Sequence, residues 1–168
     1  MREFIEKIEN WAEERNLIKG STPQKQFLKF VEEIGELCGG LSKGNEKLIK
    51  DSIGDCFVVL TILNKQLKCK TDLGYLYDNF VYPDHSRIGD SEVISNVLRD
   101  IHILTLNYNS ATFVKSSILL VIVNNLILLA HKNDFDFKNC VRLAWEEIKD
   151  RKGKMINGIF VKECDLKE

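Results

Sequence analysis

Carboxylates crowd one stretch of this chain, residues 26–63, QFLKFVEEIGELCGGLSKGNEKLIKDSIGDCFVVLTIL. Glu32, Glu33 and Glu36 come first, and Asp51 and Asp55 follow beyond a glycine-containing turn. Acids three or four apart share one face of a helix, so two facing helices built this way offer several hard oxygens to one ion. Mg2+ takes an octahedron of oxygens, a few from carboxylates and the rest from water and substrate phosphate. Glu33 with Glu36, joined by Asp55 and by Asp51 or Glu32, supplies more negative charge than packing alone tolerates, and a cation is the natural remedy. With a phosphate bound, one ion activates water and a second neutralises a leaving pyrophosphate. Glu32 or Glu33, whichever is not committed to metal, then serves as general base. The expectation is a divalent-metal site in an enzyme acting on phosphates.

Two helices must hold these groups. At 100° per residue, Phe27, Phe30, Val31, Ile34, Leu37 and Leu41 fall on one arc. Glu32, Glu36, Lys29, Glu33 and Gln26 fill roughly a third of the circle, with Glu33 and Gln26 bordering the apolar side. Taken alone, that face is equally well a solvated one. The next helix alters the balance. Residues 53–63, IGDCFVVLTIL, are apolar in nearly every direction, yet Asp55 sits among them. A buried carboxylate must be neutralised, paired or metal-bound, and no Lys or Arg stands one turn away within 53–63. A hydrogen-bonded structural aspartate is the plainer alternative.

The rest of the chain reads as helices around this pair. Residues 2–14 place Phe4, Ile5, Ile8 and Trp11 at helical spacing. Residues 16–20 break that helix, and Ser21-Thr22-Pro23 starts the next. A short helix is expected over 72–80, a loop over 81–90, and longer helices over 91–108, 112–132 and 136–151. The last residues, KGKMINGIFVKECDLKE, read as an extended, partly ordered tail. Residues 49–76 lie over 114–141 at an offset of 65 residues, a spacing that suggests a repeat. The reading is one all-α domain over 1–168 with a four-helix-bundle core, built from two related hairpins (halves 1–80 and 91–151, tail 152–168). The second copy keeps the packing and loses the acids, apart from Asp100.

The totals exclude several classes. Net charge is −1, from 24 basic and 25 acidic residues, which gives no reason to expect nucleic acid or an anionic membrane as partner. Five scattered cysteines without a CxxC pair fit reduced thiols in a cytoplasm. The most apolar run, 118–130, is about 13 residues, short for a bilayer span, though its surplus leaves a homodimer open. No ExxH accompanies the glutamates, against a ferritin-like di-iron site, and no GxxxxGK[ST] loop occurs. Lys149, Arg151, Lys152 and Lys154 form a basic cluster whose plain role is to complement a helix end. Its functional role is triphosphate capture, with Arg151 the best fork. Lys29 pairs with Glu33 or touches a phosphate, and Gln26 reads a base edge or does nothing. Trp11 and Trp145 stack on a base or fill the core, and His85, His102 and His131 lack ligand spacing.

The QxxKxxEExxEL arrangement of Gln26, Lys29, Glu32, Glu33, Glu36 and Leu37, then IGD ending in Asp55, resembles the all-α nucleoside triphosphate pyrophosphohydrolases of the MazG-like group. That group's pattern is EExxE followed, after a spacer, by ExxD. The C-terminal AWEEIKDRKGKMINGIFVKE is similar to the tail of MazG-like proteins of the kind carried by bacteriophages. The resemblance implies an Mg2+-dependent enzyme, Mn2+ substituting, that hydrolyses an NTP or dNTP between the α- and β-phosphorus. It departs at Ser52, where ExxD has its glutamate; Asp51 or a water is left to take that role. The rivals are a nucleotide-binding regulator that keeps the pocket without turnover, and a helical interaction module.

Overall fold

The computed structural model describes residues 1–81 and 88–166 and is all-α apart from a small hairpin. Among the described residues the helices are α1 (Arg2–Glu14), α2 (Leu17–Gly20), α3 (Pro23–Lys43), α4 (Glu46–Gln66), α5 (Leu73–Asp78), α6 (Asp90–Leu106), α7 (Thr112–Lys132) and α8 (Phe137–Ile148). An antiparallel pair, β1 (Gly153–Ile156) and β2 (Ile159–Lys162), and one 3-10 turn, Glu163–Asp165, close the chain. His85 and most of the loop expected over 81–90 lie outside the described residues.

Local chemistry sets the ends of the central hairpin. The Thr22 hydroxyl accepts from the Lys25 amide at 3.3 Å, with Pro23 at the first helical position. Gly44, at φ 62°, ends α3 in the left-handed region. The Asn45 side chain then accepts from the Leu48 amide at 3.2 Å and opens α4. So short a link returns α4 alongside α3.

Helix α4 is the hub. From Ser52 to Asn64 its residues are buried except Asp55, as its all-round apolar pattern requires. Helices α1, α2, α3, α7 and α8 all pack on it, and the contacts α3–α4, α4–α7, α7–α6 and α6–α3 form a closed circuit. At Gly54 the approach of α8 is closest: a β-carbon there would stand 2.3 Å from the Cys140 carbonyl oxygen and 2.8 Å from the Ala144 β-carbon. One turn on, Phe57 meets Phe137 edge to face at 5.3 Å.

The order hairpin, 21-residue apolar helix, Asp-capped helix occurs twice. Asp72 accepts from the Tyr75 amide at 2.8 Å after α4, and Asp136 from the Lys138 amide at 3.1 Å after α7. The apolar run at 118–130 lies inside a helix longer than the run itself. By length and composition alone, α7 as a whole is long and apolar enough to cross a membrane. In this fold 44% of its most apolar window is buried, as befits a helix with one side in the core and the other, with Phe113, Leu120 and Val121, at the surface.

Two expectations gain detail. Residues 16–20 do not merely break α1: Asn16 takes a left-handed conformation and α2 makes one turn beyond it. The C-terminal segment, expected as an extended, partly ordered tail, is extended and pairs into a hairpin. Asn157 and Gly158, at φ 51° and 76°, form the two-residue turn whose twist matches that of paired strands. None of the five cysteines is paired.

The Gly54 contact yields a prediction. Alanine is worth about 1 kcal/mol more than glycine in a helix interior, yet Gly54→Ala is expected to destabilise the fold by about 1–3 kcal/mol through overpacking. A urea midpoint for Gly54→Ala at or above that of the native chain would contradict the packing described.

Candidate functional site

A cavity of about 410 Å3 runs beside the central hairpin, and it gathers most of the residues singled out by their chemistry. Glu32 and Glu33 enter from α3 and Asp55 from α4, next to Lys29 and Arg151. Further along, Trp11, Leu17, Val58, Val59 and Ile62 make an apolar wall, and Ser21 and Gln26 put polar atoms into it. The hairpin forms the remaining side, through Gly158, Ile159, Phe160, Val161 and Lys162. Roomier hollows of about 490 and 640 Å3 elsewhere on the surface hold only Asp72, or Glu9 with Asp72, as acids.

The acids do not stand equal. The Glu33 side chain is only 4% exposed; Lys29 reaches it at 2.6 Å and reaches Glu32 at 2.9 Å. Burial lifts the Glu33 carboxyl above its ordinary range, against the pull of Lys29 and with the push of Glu36 and Glu32. Burial alone would lower the Lys29 ammonium, but its hydrogen bonds to Glu33 and Glu32 carry it upward. Asp55 has no ion pair among the described residues. Burial first, then the charges of Glu33, Asp51 and Glu147, push its carboxyl up to about 7, opposed by Arg151. Asp51 is raised as well, by burial and then by Glu147 and Glu36.

Glu36 is exposed and Asp51 half-buried; neither lines the cavity, although both act on its acids through space. With the side chains as they stand, no three acids among the described residues converge closely enough to hold an ion, and Glu33 is paired with Lys29. Ser52, where the MazG-like pattern has a glutamate, is 1% exposed, does not line the cavity and leaves its hydroxyl without a partner.

The basic cluster divides. Arg151 lines the cavity and is paired with Glu147. Lys149 turns away to Glu146 at 2.6 Å, and neither Lys149 nor the exposed Lys154 borders the cavity, so the capture role expected of them is not supported by their placement. Trp145 packs against the core. Trp11, 7% exposed, belongs to the core and also borders the cavity, its indole donating to the Ile148 carbonyl at 2.8 Å. Arg15 lies 4.9 Å over that indole and donates to the Arg151 carbonyl at 3.0 Å and the Lys149 carbonyl at 3.3 Å. Through these bonds α1 pins the end of α8, and with it the base of the hairpin. At the hairpin's tip, Gly158 sits so close to α2 and α3 that a β-carbon would be 2.6 Å from Lys25 Nζ and 3.2 Å from the Gly20 carbonyl.

Sequence reasoning missed Glu147, Lys25, Phe160 and Lys162. Asn157-Gly158 between apolar residues was the available signal for the hairpin. Glu147 carried none beyond its place one turn before Arg151.

Over 66 residues the chain is 61% identical to an uncharacterized 18.2 kDa protein of the rep-hol intergenic region of Haemophilus phage HP1. The match takes in 39% of this chain and 40% of that relative. No family model matches the chain, and no solved structure matches it.

The raised acids fix the sign of a pH effect. A carboxyl held above its unfolded value binds more protons in the folded chain than in the unfolded one, so stability falls as pH rises between the two. For Asp55 the window runs from 3.8 to about 7. In metal-free buffer the urea midpoint should fall across that window, and Asp55→Asn should flatten the fall and be the more stable protein at pH 8. A midpoint that rises from pH 5 to 8 equally in both proteins would contradict this site.

Proposed function

We propose that the chain is an Mg2+-dependent nucleoside triphosphate pyrophosphohydrolase, converting an NTP or dNTP and water to the monophosphate and diphosphate. The observation that carries this reading is Asp55: a carboxylate on the most buried helix, without an ion pair among the described residues, facing a cavity shared with Glu32 and Glu33. A structural aspartate in that position would be hydrogen-bonded or paired. The donor set is carboxylate only, which suits a hard ion. That Glu33 and Glu32 already hold the Lys29 ammonium supports the view that this spot binds positive charge.

In this reading Glu33 and Asp55 hold the cation, with Glu36, Asp51 and the newly found Glu147 near enough to add charge. The cation would neutralise phosphate oxygens and lower the pKa of the attacking water. Glu32, the more exposed of the adjacent pair, accepts the proton that water loses as its oxygen bonds the α-phosphorus and the bond to the β-phosphate bridging oxygen breaks. Arg151, with Lys162 from the hairpin, faces the phosphates in place of Lys149 and Lys154. The apolar wall and the Phe160 ring, 6.2 Å from that of Trp11, suit a base and sugar. Gln26, which donates to the Ser21 hydroxyl at 3.3 Å, offers an amide to a base edge.

One observation favours a second reading. Ser52 is sealed from the cavity, so a glutamate-like ligand at that place is missing, and a nucleotide-binding regulator without turnover would tolerate the loss.

Pyrophosphate release from a panel of NTPs and dNTPs with Mg2+ separates the two. The enzyme should release it from at least one nucleotide, and Asp55→Ala should lower that rate by about 10²-fold or more and remove the Mg2+-dependent rise in Tm. Nucleotide-dependent stabilisation with no release from any nucleotide would establish the regulator instead.

A further inference from the structure

The ion pair that closes the acid cluster is an unusual one to find in a cavity built for substrate. Lys29 approaches two carboxylates at once, Glu33 at 2.6 Å and Glu32 at 2.9 Å. Glu33 is nearly sealed from solvent, whereas Lys29 and Glu32 are about half exposed, so the ammonium is a movable group on a fixed acid. Glu33 is also the foremost of the charges that act on Asp55. With Lys29 there, Glu33 is paired, and no three acids among the described residues share a point.

Resting on the metal-dependent reading above, we infer that Lys29 is a built-in substitute cation: its ammonium occupies Glu33 and Glu32 until a divalent ion displaces it, and it then moves to the substrate's phosphates. The two duties are exclusive. An ammonium bound to Glu33 neutralises a buried carboxylate that would otherwise be costly to keep. Once a doubly charged ion does this better, the lysine's flexible stem lets its charge turn to the phosphate oxygens in the same cavity. Lys29 is therefore a positioning residue for metal and a binding residue for phosphate, and its removal should push those two affinities in opposite directions.

Manganese binding followed by electron paramagnetic resonance tests this without reference to turnover. Lys29→Met should bind Mn2+ roughly two- to fivefold more tightly than the native chain, the range expected when one partly exposed ion pair no longer competes. Lys29→Arg, which keeps the charge and the reach, should stay near the native value. Lys47→Met is the control for charge at a distance, since Lys47 acts on Asp51 but makes no ion pair with the site's acids, and it should shift Mn2+ affinity less than twofold. With Mn2+ saturating, Lys29→Met should bind the non-hydrolysable α,β-methylene ATP more weakly than the native chain.

If the native chain binds Mn2+ and Lys29→Met binds it no better, or if Lys47→Met moves affinity as far as Lys29→Met, the substitute-cation role is wrong and the metal site stands. If neither the native chain nor Lys29→Met binds Mn2+, the metal-dependent reading fails and this inference with it.

Discussion

A helix surrounded by other helices carries a carboxylate in its middle, and the arrangement of the molecule answers to that constraint. Helix α4 is covered by α1, α2, α3, α7 and α8, and Asp55 is the residue in its central run that escapes full burial. It does so because the packing leaves a channel at that point, bounded by α3 and closed by the C-terminal hairpin. Without the channel, an ionised Asp55 would face the full cost of desolvation. With it, the cost is reduced to a raised pKa.

Distant parts of the chain are recruited to form that channel. Gly54 lets α8 lie almost backbone to backbone on α4, which carries Glu147 and Arg151 to the acid end. Trp11 and Arg15 hold the end of α8 by its last carbonyls, and the hairpin that follows is anchored at its tip against Gly20 and Lys25. A cavity with acids at one end and an aromatic, aliphatic wall at the other thus depends on contacts between residues more than a hundred positions apart. Its lining carries four acids, Glu32, Glu33, Asp55 and Asp165, against four bases, Lys25, Lys29, Arg151 and Lys162; Lys29 is committed to Glu33 and Glu32, and Arg151 to Glu147 outside the lining. Asp55 is left outside these pairs.

The second hairpin, α6 and α7, supports the first without sharing its chemistry. It closes the circuit of packed helices, and α7 repeats the length of α4 and the Asp-capped helix that follows. Where α4 has Asp55, the matching position of α7 is Leu120. Asp100 on α6 is buried with one oxygen bonded by Arg99 at 2.9 Å and the other without a partner. It lines none of the cavities described.

Periodicity and end signals made the helices readable in advance, because both are properties of a few neighbouring residues. Thr22-Pro23 and Gly44-Asn45 set the ends of the acidic hairpin, and the all-round apolar pattern of 53–63 told that Asp55 would sit in a crowded place. The helix pair, the shared face of Glu32, Glu33 and Lys29, and the opposition of Glu33 to Asp55 follow from that. What the sequence left undecided is whatever depends on how far-apart segments meet. Nothing local distinguished Arg151 from Lys149 and Lys154; in the fold the first borders the cavity, while Lys149, paired with Glu146, and Lys154, on β1, do not. Nothing local told that Ser52 would be sealed off, that Glu147 would stand near Asp51 and Asp55, or that the last strands would fold back over the apolar wall. Helix formation is decided within a few turns of chain, whereas a cavity is the space left between helices, and only their packing fixes its shape.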